Sequence, residues 1–175
     1  MIVQMAHKNI CDINKVNEPF EIIGKIIPKY ENNIWTYTEE IYSEAQEKQY
    51  QNDVEDYESY INNKYKTIFF FYDNDMCIGQ IKMHKNWGLY AFIDEIFVSR
   101  NSRGKGVGHA LIDQAIEWAK QNQLMGLMLE TQDNNLWSCR FYSKCGLKIG
   151  GMDDMLYANF PNISNEKAIY WYLKW

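Results

Sequence analysis

Residues 103–108 read Arg103-Gly104-Lys105-Gly106-Val107-Gly108, a set of types and spacings suited to holding an anion. Glycine lets backbone N–H groups approach phosphate oxygens with no Cβ in the way, and Arg103 and Lys105 add positive charge. A strand-like run ends just before this segment and a helical pattern begins inside it. Unpaired N–H groups and the positive end of a helix dipole therefore converge on one place, where a phosphate is the natural guest. Two familiar phosphate loops are excluded by residue type. A Walker A loop needs Lys and then Ser or Thr after its last glycine, whereas His109 and Ala110 follow Gly108. The dinucleotide pattern GxGxxG needs a glycine where His109 stands. The plain alternative is a glycine-rich turn that binds nothing.

On these residues the sequence resembles the GNAT superfamily of N-acetyltransferases, whose signature is Arg or Gln, two spacers, Gly, one spacer, Gly or Ala. Arg103, Gly106 and Gly108 fill it. The wider family pattern opens with Val, one residue, Pro. Here Val98 fits and Arg100 replaces the proline, a position that shapes the turn and does no chemistry. A second family motif, Asn, then Ala three residues on, then an apolar residue and Tyr, is matched by Asn135, Ser138, Phe141 and Tyr142. The resemblance implies one domain over residues 1–175 with the GNAT fold, an α/β (α+β) architecture whose mixed central β-sheet is flanked by helices on both faces. It implies acetyl-CoA as co-substrate and no metal. The backbone N–H groups of Arg103, Gly104, Lys105, Gly106, Val107 and Gly108 would hold the pyrophosphate. Backbone groups of Ile96, Phe97 and Val98 would pair with the pantetheine arm and polarise the thioester carbonyl. Asn135 would contact the cofactor arm.

Acetyl transfer to an amine needs a neutral nitrogen, a polarised thioester and a proton for the departing thiolate. Tyr142 stands where GNAT enzymes commonly place their general acid, and a phenol suits that proton; its other reading is a packed aromatic beside Phe141. Asp94 and Glu95 interrupt an otherwise apolar strand and are the candidate bases, directly or through water. Strand alternation sends the two to opposite faces, so one of them reaches the acceptor, and the pattern does not choose between them. A salt bridge to a neighbouring element is the ordinary alternative for either. Cys139 and Cys145 invite a covalent relay but read as small packing residues.

The elements that must position these groups follow from period and punctuation. TIFFFYD at 67–73, the turn DND at 73–75 and CIGQIKMHK at 77–85 read as a hairpin, and YAFIDEIFV at 90–98 as a third strand. Val107, Leu111, Ala115, Trp118 and Ala119 share one face of a helix of about four turns. A strand at 125–131, a helix at 134–145 stopped by Gly146 as C′ residue, and strands near 147–151 and 168–175 complete this half. Upstream, 20–29 and 34–50 are expected as short helices, the second capped by Thr38. Helix is also expected over 53–65, with Tyr57, Tyr60, Ile61 and Tyr65 on one face.

The 175 residues carry a net charge of −5, which argues against nucleic acid as a partner and for a cationic one. Residues 1–60 hold 12 acids and 5 bases, the rest 11 acids and 13 bases. Residues 39–58 alone contain Glu39, Glu40, Glu44, Glu47, Asp53, Glu55, Asp56 and Glu58 against the single base Lys48. Such runs are usually solvated helix faces, but in an acetyltransferase an acidic rim steers a polyamine-like acceptor. Cys11, Cys77, Cys139 and Cys145 show no metal or disulfide spacing, and no apolar stretch is long enough for a signal or a span. A cytoplasmic protein without membrane association is expected, and a homodimer is compatible with this reading. The stretches EPFEIIGKIIPKYENNIWTYTEE, KNWGLYAFIDEI, GLMLETQDNNLWSCRFYSKCGLKIG, MLYANF and AIYWYL are similar to the streptothricin acetyltransferase branch of the superfamily. That resemblance implies acetylation of an amino group on the β-lysine part of a streptothricin-type antibiotic. The enzymatic alternative is a polyamine or protein-amine acetyltransferase. A non-catalytic acetyl-CoA-binding module, or an acidic docking segment for a basic protein, is the alternative from another class.

Overall fold

A computed structural model describes every residue from Met1 to Trp175. In chain order the regular elements are β1 (Ile2–Gln4), β2 (Phe20–Glu31), β3 (Ile34–Lys48), β4 (Lys66–Asp73), β5 (Met76–Lys85), β6 (Ala91–Val98), α1 (Val107–Gln121), β7 (Gly126–Gln132), α2 (Leu136–Lys144), β8 (Lys148–Asp153) and β9 (Ala168–Lys174), with 3₁₀ turns at His7–Asp12, Tyr57–Tyr60 and Arg100–Ser102. Seven strands hydrogen-bond in the order β1-β4-β5-β6-β7-β9-β8, and β2 and β3 form a separate two-stranded sheet. In chain order β6 and β7 are joined through α1. The antiparallel pairs beside them make the sheet mixed, as expected.

Two compact units divide the chain, the first comprising Met1–Pro19, Gln49–Leu127 and Lys174–Trp175, the second Phe20–Lys48 and Met128–Leu173. In the first, β4 and β5 pair as the expected hairpin. Asn74 and Asp75 between them adopt φ 44° and 62°, the left-handed pair of a two-residue turn that matches strand twist. The predicted face of α1 is buried, joined by Ile112, and packs against β4, β5 and β6. Gly79 on β5 lies against Val107 and Leu111, where any side chain would overlap the helix. On the other face Ile68 and Phe70 pack with Met5 and Tyr60, covered by Ile10, Ile13, Tyr57 and Ile61.

The helix expected over 53–65 is only a 3₁₀ turn at Tyr57–Tyr60. Asp56 caps it through the Glu58 N–H, and Asn62 at φ 56° turns the chain out of helical geometry one residue past the turn's C-cap. Tyr57, Tyr60 and Ile61 still share the apolar cluster, but Tyr65 is exposed.

In the second unit the short helices expected at 20–29 and 34–50 are instead the two strands of one long hairpin, β2 and β3, with Glu31 paired to Ile34 at its tip. The turn residues Asn32 and Asn33 adopt φ 51° and 62°. Ile22, Gly24 and Ile26 alternate inward along β2, a period of two that no helix would bury. β3 is exposed along most of its length, so Glu39, Glu40, Glu44 and Glu47 lie on a solvated strand and Thr38 caps nothing. β2 docks on the start of α2 through the Ile26 N–H to the Asp133 carbonyl, 2.9 Å, and a bridge between Gly24 and Asn135. α2 ends at Lys144 with Cys145 as its C-cap, and Gly146 at φ 85° takes the C′ position as read from the sequence.

Candidate active site

The segment 103–106 is exposed, and Gly104 (φ 75°) and Gly106 (φ 87°) hold left-handed conformations that other residues adopt only with strain. Open space lies where their Cβ atoms would be. Gly106 is the N-cap of α1 and offers no side chain to its first turn, which leaves those N–H groups for a guest at the positive end of a 15-residue helix. The residues therefore fit a pyrophosphate.

The Arg103 side chain has a different task from the one expected of it. Its Nε donates to the Val98 carbonyl at 3.0 Å, and its terminal nitrogens donate to the Pro19 and Glu18 carbonyls at 3.2 and 3.4 Å. Arg103 clasps the loop to its own unit instead of lending charge to a phosphate. Its N–H is turned to the Arg100 carbonyl, so the anion-facing amides begin beyond it. The Arg100 N–H, which a proline would lack, donates to Glu18 Oε2 at 2.6 Å, and this explains the departure from the family pattern.

Along β6 the pairing runs Lys82 with Glu95 and Met83 with Ile93, so Asp94 is one extra residue, a β-bulge. The bulge overturns the expectation that Asp94 and Glu95 face opposite ways. Glu95 Oε1 bonds Lys82 Nζ at 2.9 Å and Asp94 Oδ2 bonds His84 Nδ1 at 2.9 Å, and Lys82 and His84 are two apart on one face of β5. Lys82 is enclosed, with Glu55 Oε1 at 2.6 Å and Asp53 Oδ2 at 3.1 Å completing three carboxylates around its ammonium. Burial opposes that charge, but the bonds to Glu55, Glu95 and Asp53 outweigh it and hold the ammonium protonated. Glu95 Oε2 accepts from Gln80 at 3.3 Å, and Gln80 is clamped in turn by Asn14. Burial lifts the Glu95 carboxyl above the usual carboxylate range against the pull of Lys82. His84 is raised by its bond to Asp94, with burial working the other way.

In the second unit Asn135 is the N-cap of α2, its Oδ1 accepting from the Ser138 N–H at 3.2 Å. Tyr142, one of the buried residues of α2, lies with its ring 5.4 Å from Phe141 and 6.2 Å from Trp171. Cys139 is fully buried and burial pushes its thiol up to about 12, which removes it as a nucleophile.

The family model described as Acetyltransferase (GNAT) family matches residues 31–147. The chain is 51% identical over 174 residues to streptothricin acetyltransferase A of Bacillus subtilis (strain 168), covering 99% of each. This chain belongs to the GNAT acetyltransferase family. A 1.6 Å crystal structure from Bacillus anthracis str. Ames, of a protein assigned as a streptothricin acetyltransferase in complex with acetyl coenzyme A, superposes with TM-score 0.93 at 36% identity over 100% of this chain and 99% of that one. Nourseothricin acetyltransferase, 20% identical with TM-score 0.81 over 99% of this chain and 97% of that one, shares the fold.

Within this GNAT domain, sequence reasoning missed Lys82, His84 and Gln80 as site residues. The signal was present: in CIGQIKMHK the polar residues 80, 82 and 84 alternate, so one face of a central strand is polar where an apolar one is the rule. Their partners Asn14, Asp53 and Glu55 come from chain 27 to 66 residues away, and no local pattern announces that. No helix is long and apolar enough to cross a membrane.

Proposed function

We propose that the protein is an acetyl-CoA-dependent N-acetyltransferase that inactivates streptothricin by acetylating an amino group of its β-lysine moiety. The observation that carries this reading is the 51% identity, over essentially the whole of both chains, to a streptothricin acetyltransferase. Bound acetyl-CoA supplies an acetyl group already activated as a thioester. The amides of residues 104–108 hold the pyrophosphate at the start of α1, and backbone groups of Ile96, Phe97 and Val98 receive the pantetheine arm and polarise the carbonyl. Asn135 contacts the cofactor arm from the head of α2. Tyr142 donates a proton to the leaving sulfur, and an acid on β6 prepares the amine. Acetylation removes one positive charge from the drug, the chemical basis for its inactivation, and the work is done in the cytoplasm on a small cation.

The acidic β3 strand also suits a polyamine acceptor. A thiol-release assay with streptothricin and with spermidine as acceptors decides between them. Turnover of streptothricin at low micromolar enzyme is expected. Rapid turnover of spermidine with none of streptothricin would refute the proposal, and acetyl-CoA binding without transfer to any amine would leave only a binding module.

A further inference from the structure

We infer that the His84–Asp94 pair, and not Glu95, takes the proton from the incoming ammonium; this rests on the acetyl-transfer reading above. The bulge at Asp94 brings both acids to one face, so geometry and not strand alternation must choose between them. Glu95 is enclosed. Both its oxygens are already engaged, one on the Lys82 ammonium and one on the Gln80 amide, and its side chain is 11% exposed. To accept a proton it would have to surrender a charge-assisted bond inside a cluster where Lys82 is 2% exposed. The neighbouring pair is open: the side chains of Asp94 and His84 are 24% and 39% exposed.

The pair also has the right chemistry. With Nδ1–H donated to Asp94, the tautomer leaves the lone pair on Nε2, which has no protein partner. Phe92 lies 5.4 Å from the imidazole and braces the ring. Asp94 is two residues along β6 from Ile96, where the carbonyl-polarising backbone begins. In the step proposed, an N–H bond of the ammonium breaks and Nε2–H forms, Asp94 stabilises the imidazolium, and the nitrogen's freed lone pair attacks the thioester carbonyl. The C–S bond breaks, Tyr142 gives its proton to the sulfur, and the acylated nitrogen's remaining surplus proton restores the phenol. One proton leaves per turnover, from His84 to water.

Several charges face the imidazole. Asp94 and, more weakly, Glu55 favour its protonated form, and Lys82 opposes it. Lys66 is its register partner on β4, but that ammonium is held on Ser59 Oγ at 2.6 Å and over the Tyr60 ring at 4.2 Å. Tyr60 donates to Glu55, and burial and that carboxylate keep its phenol un-ionised.

The test is the pH profile of kcat/KM for streptothricin in the wild type, His84→Gln and Asp94→Asn, read beside an NMR titration of the imidazoles. With three histidines, His7, His84 and His109, the assignment is tractable. The expected result is an acid limb coincident with the His84 titration, above the ordinary histidine range. Asp94→Asn moves both downward together, and His84→Gln abolishes the limb and lowers kcat by about 10²–10⁴-fold with acetyl-CoA KM unchanged. An acid limb and kcat unaltered in His84→Gln, or a limb that stays put in Asp94→Asn while the imidazole titration moves, would overturn the inference. If His84→Gln does not fold, the paired shifts in Asp94→Asn decide alone. If the wild type acetylates spermidine but not streptothricin, the substrate reading falls and the same profiles taken with spermidine still judge His84. Acetylation of neither removes both.

Discussion

Replacing Lys82 by methionine deletes a cation whose side chain is 2% exposed and strands two half-enclosed carboxylates, Glu95 at 11% and Glu55 at 28%. Asp53, at 67%, is screened by water and contributes little. Removing one partner of a buried ion pair costs about 3–5 kcal/mol, because a charge is left without compensation. Glu95 keeps the Gln80 amide and Glu55 keeps the Tyr60 hydroxyl, which places the expected loss at the lower end, about 3 kcal/mol. In a chain of this length that lowers Tm by about 6–12 °C. The pH dependence has a definite sign. The Glu95 carboxyl is already raised by burial, so its ionisation opposes folding at pH values above its unfolded range. Without Lys82 it rises further, so the penalty is largest near pH 7.5 and shrinks towards pH 5 as the folded carboxyl takes up its proton, disappearing only below the unfolded range of a glutamate. Urea melts followed by tryptophan fluorescence at the two pH values measure this, and Lys82→Met with Glu95→Gln should recover part of the loss. A loss below about 1 kcal/mol, the level of a surface pair, or one that grows as the pH falls, would refute the account of Lys82 as a buried charge clasp.

Tyr142→Phe keeps the ring packed against Phe141 and Trp171 and should lower turnover about 10²–10⁴-fold in the thiol-release assay; unchanged turnover would leave Tyr142 as packing. Gly106→Ala forces a side chain to φ 87° and should raise the acetyl-CoA KM about tenfold through roughly 1–2 kcal/mol of backbone strain, with kcat at saturation preserved. At the hairpin tip Asn33→Gly should match or exceed wild-type stability, while Asn33→Val at φ 62° should fall about 1–2 kcal/mol below it in the same melts.

The half of the chain from residue 66 onward was legible because its signals are local. The β4–β5 hairpin announces itself by apolar runs either side of Asn74-Asp75, and α1 by a period of 3.6 starting at a glycine loop. The sequence of β2 and β3 reads as helix because Glu, Gln and Lys crowd β3, and a strand exposed along most of its length buries no face to impose alternation. The better evidence lay in Asn32-Asn33 and in the β-branched and aromatic residues Ile34, Trp35, Thr36, Tyr37 and Thr38.

Residue type and spacing determined that residues 103–108 suit a phosphate and that Asp94 and Glu95 are acids set in an apolar strand, and the motifs there and at Asn135–Tyr142 carry the resemblance to GNAT that points to Tyr142. Each of these rests on neighbours in sequence, where chain geometry is set by a few dihedral angles. Only the tertiary structure decided that Arg103 is a clasp, that Asp94 and Glu95 share a face, and that one is bound to His84 and the other sealed by Lys82. Those outcomes depend on one bulge and on partners drawn from Glu18 to Asp53 and Glu55. Burial and charge at a residue are sums over everything the fold brings near it, and that sum is not written at the residue.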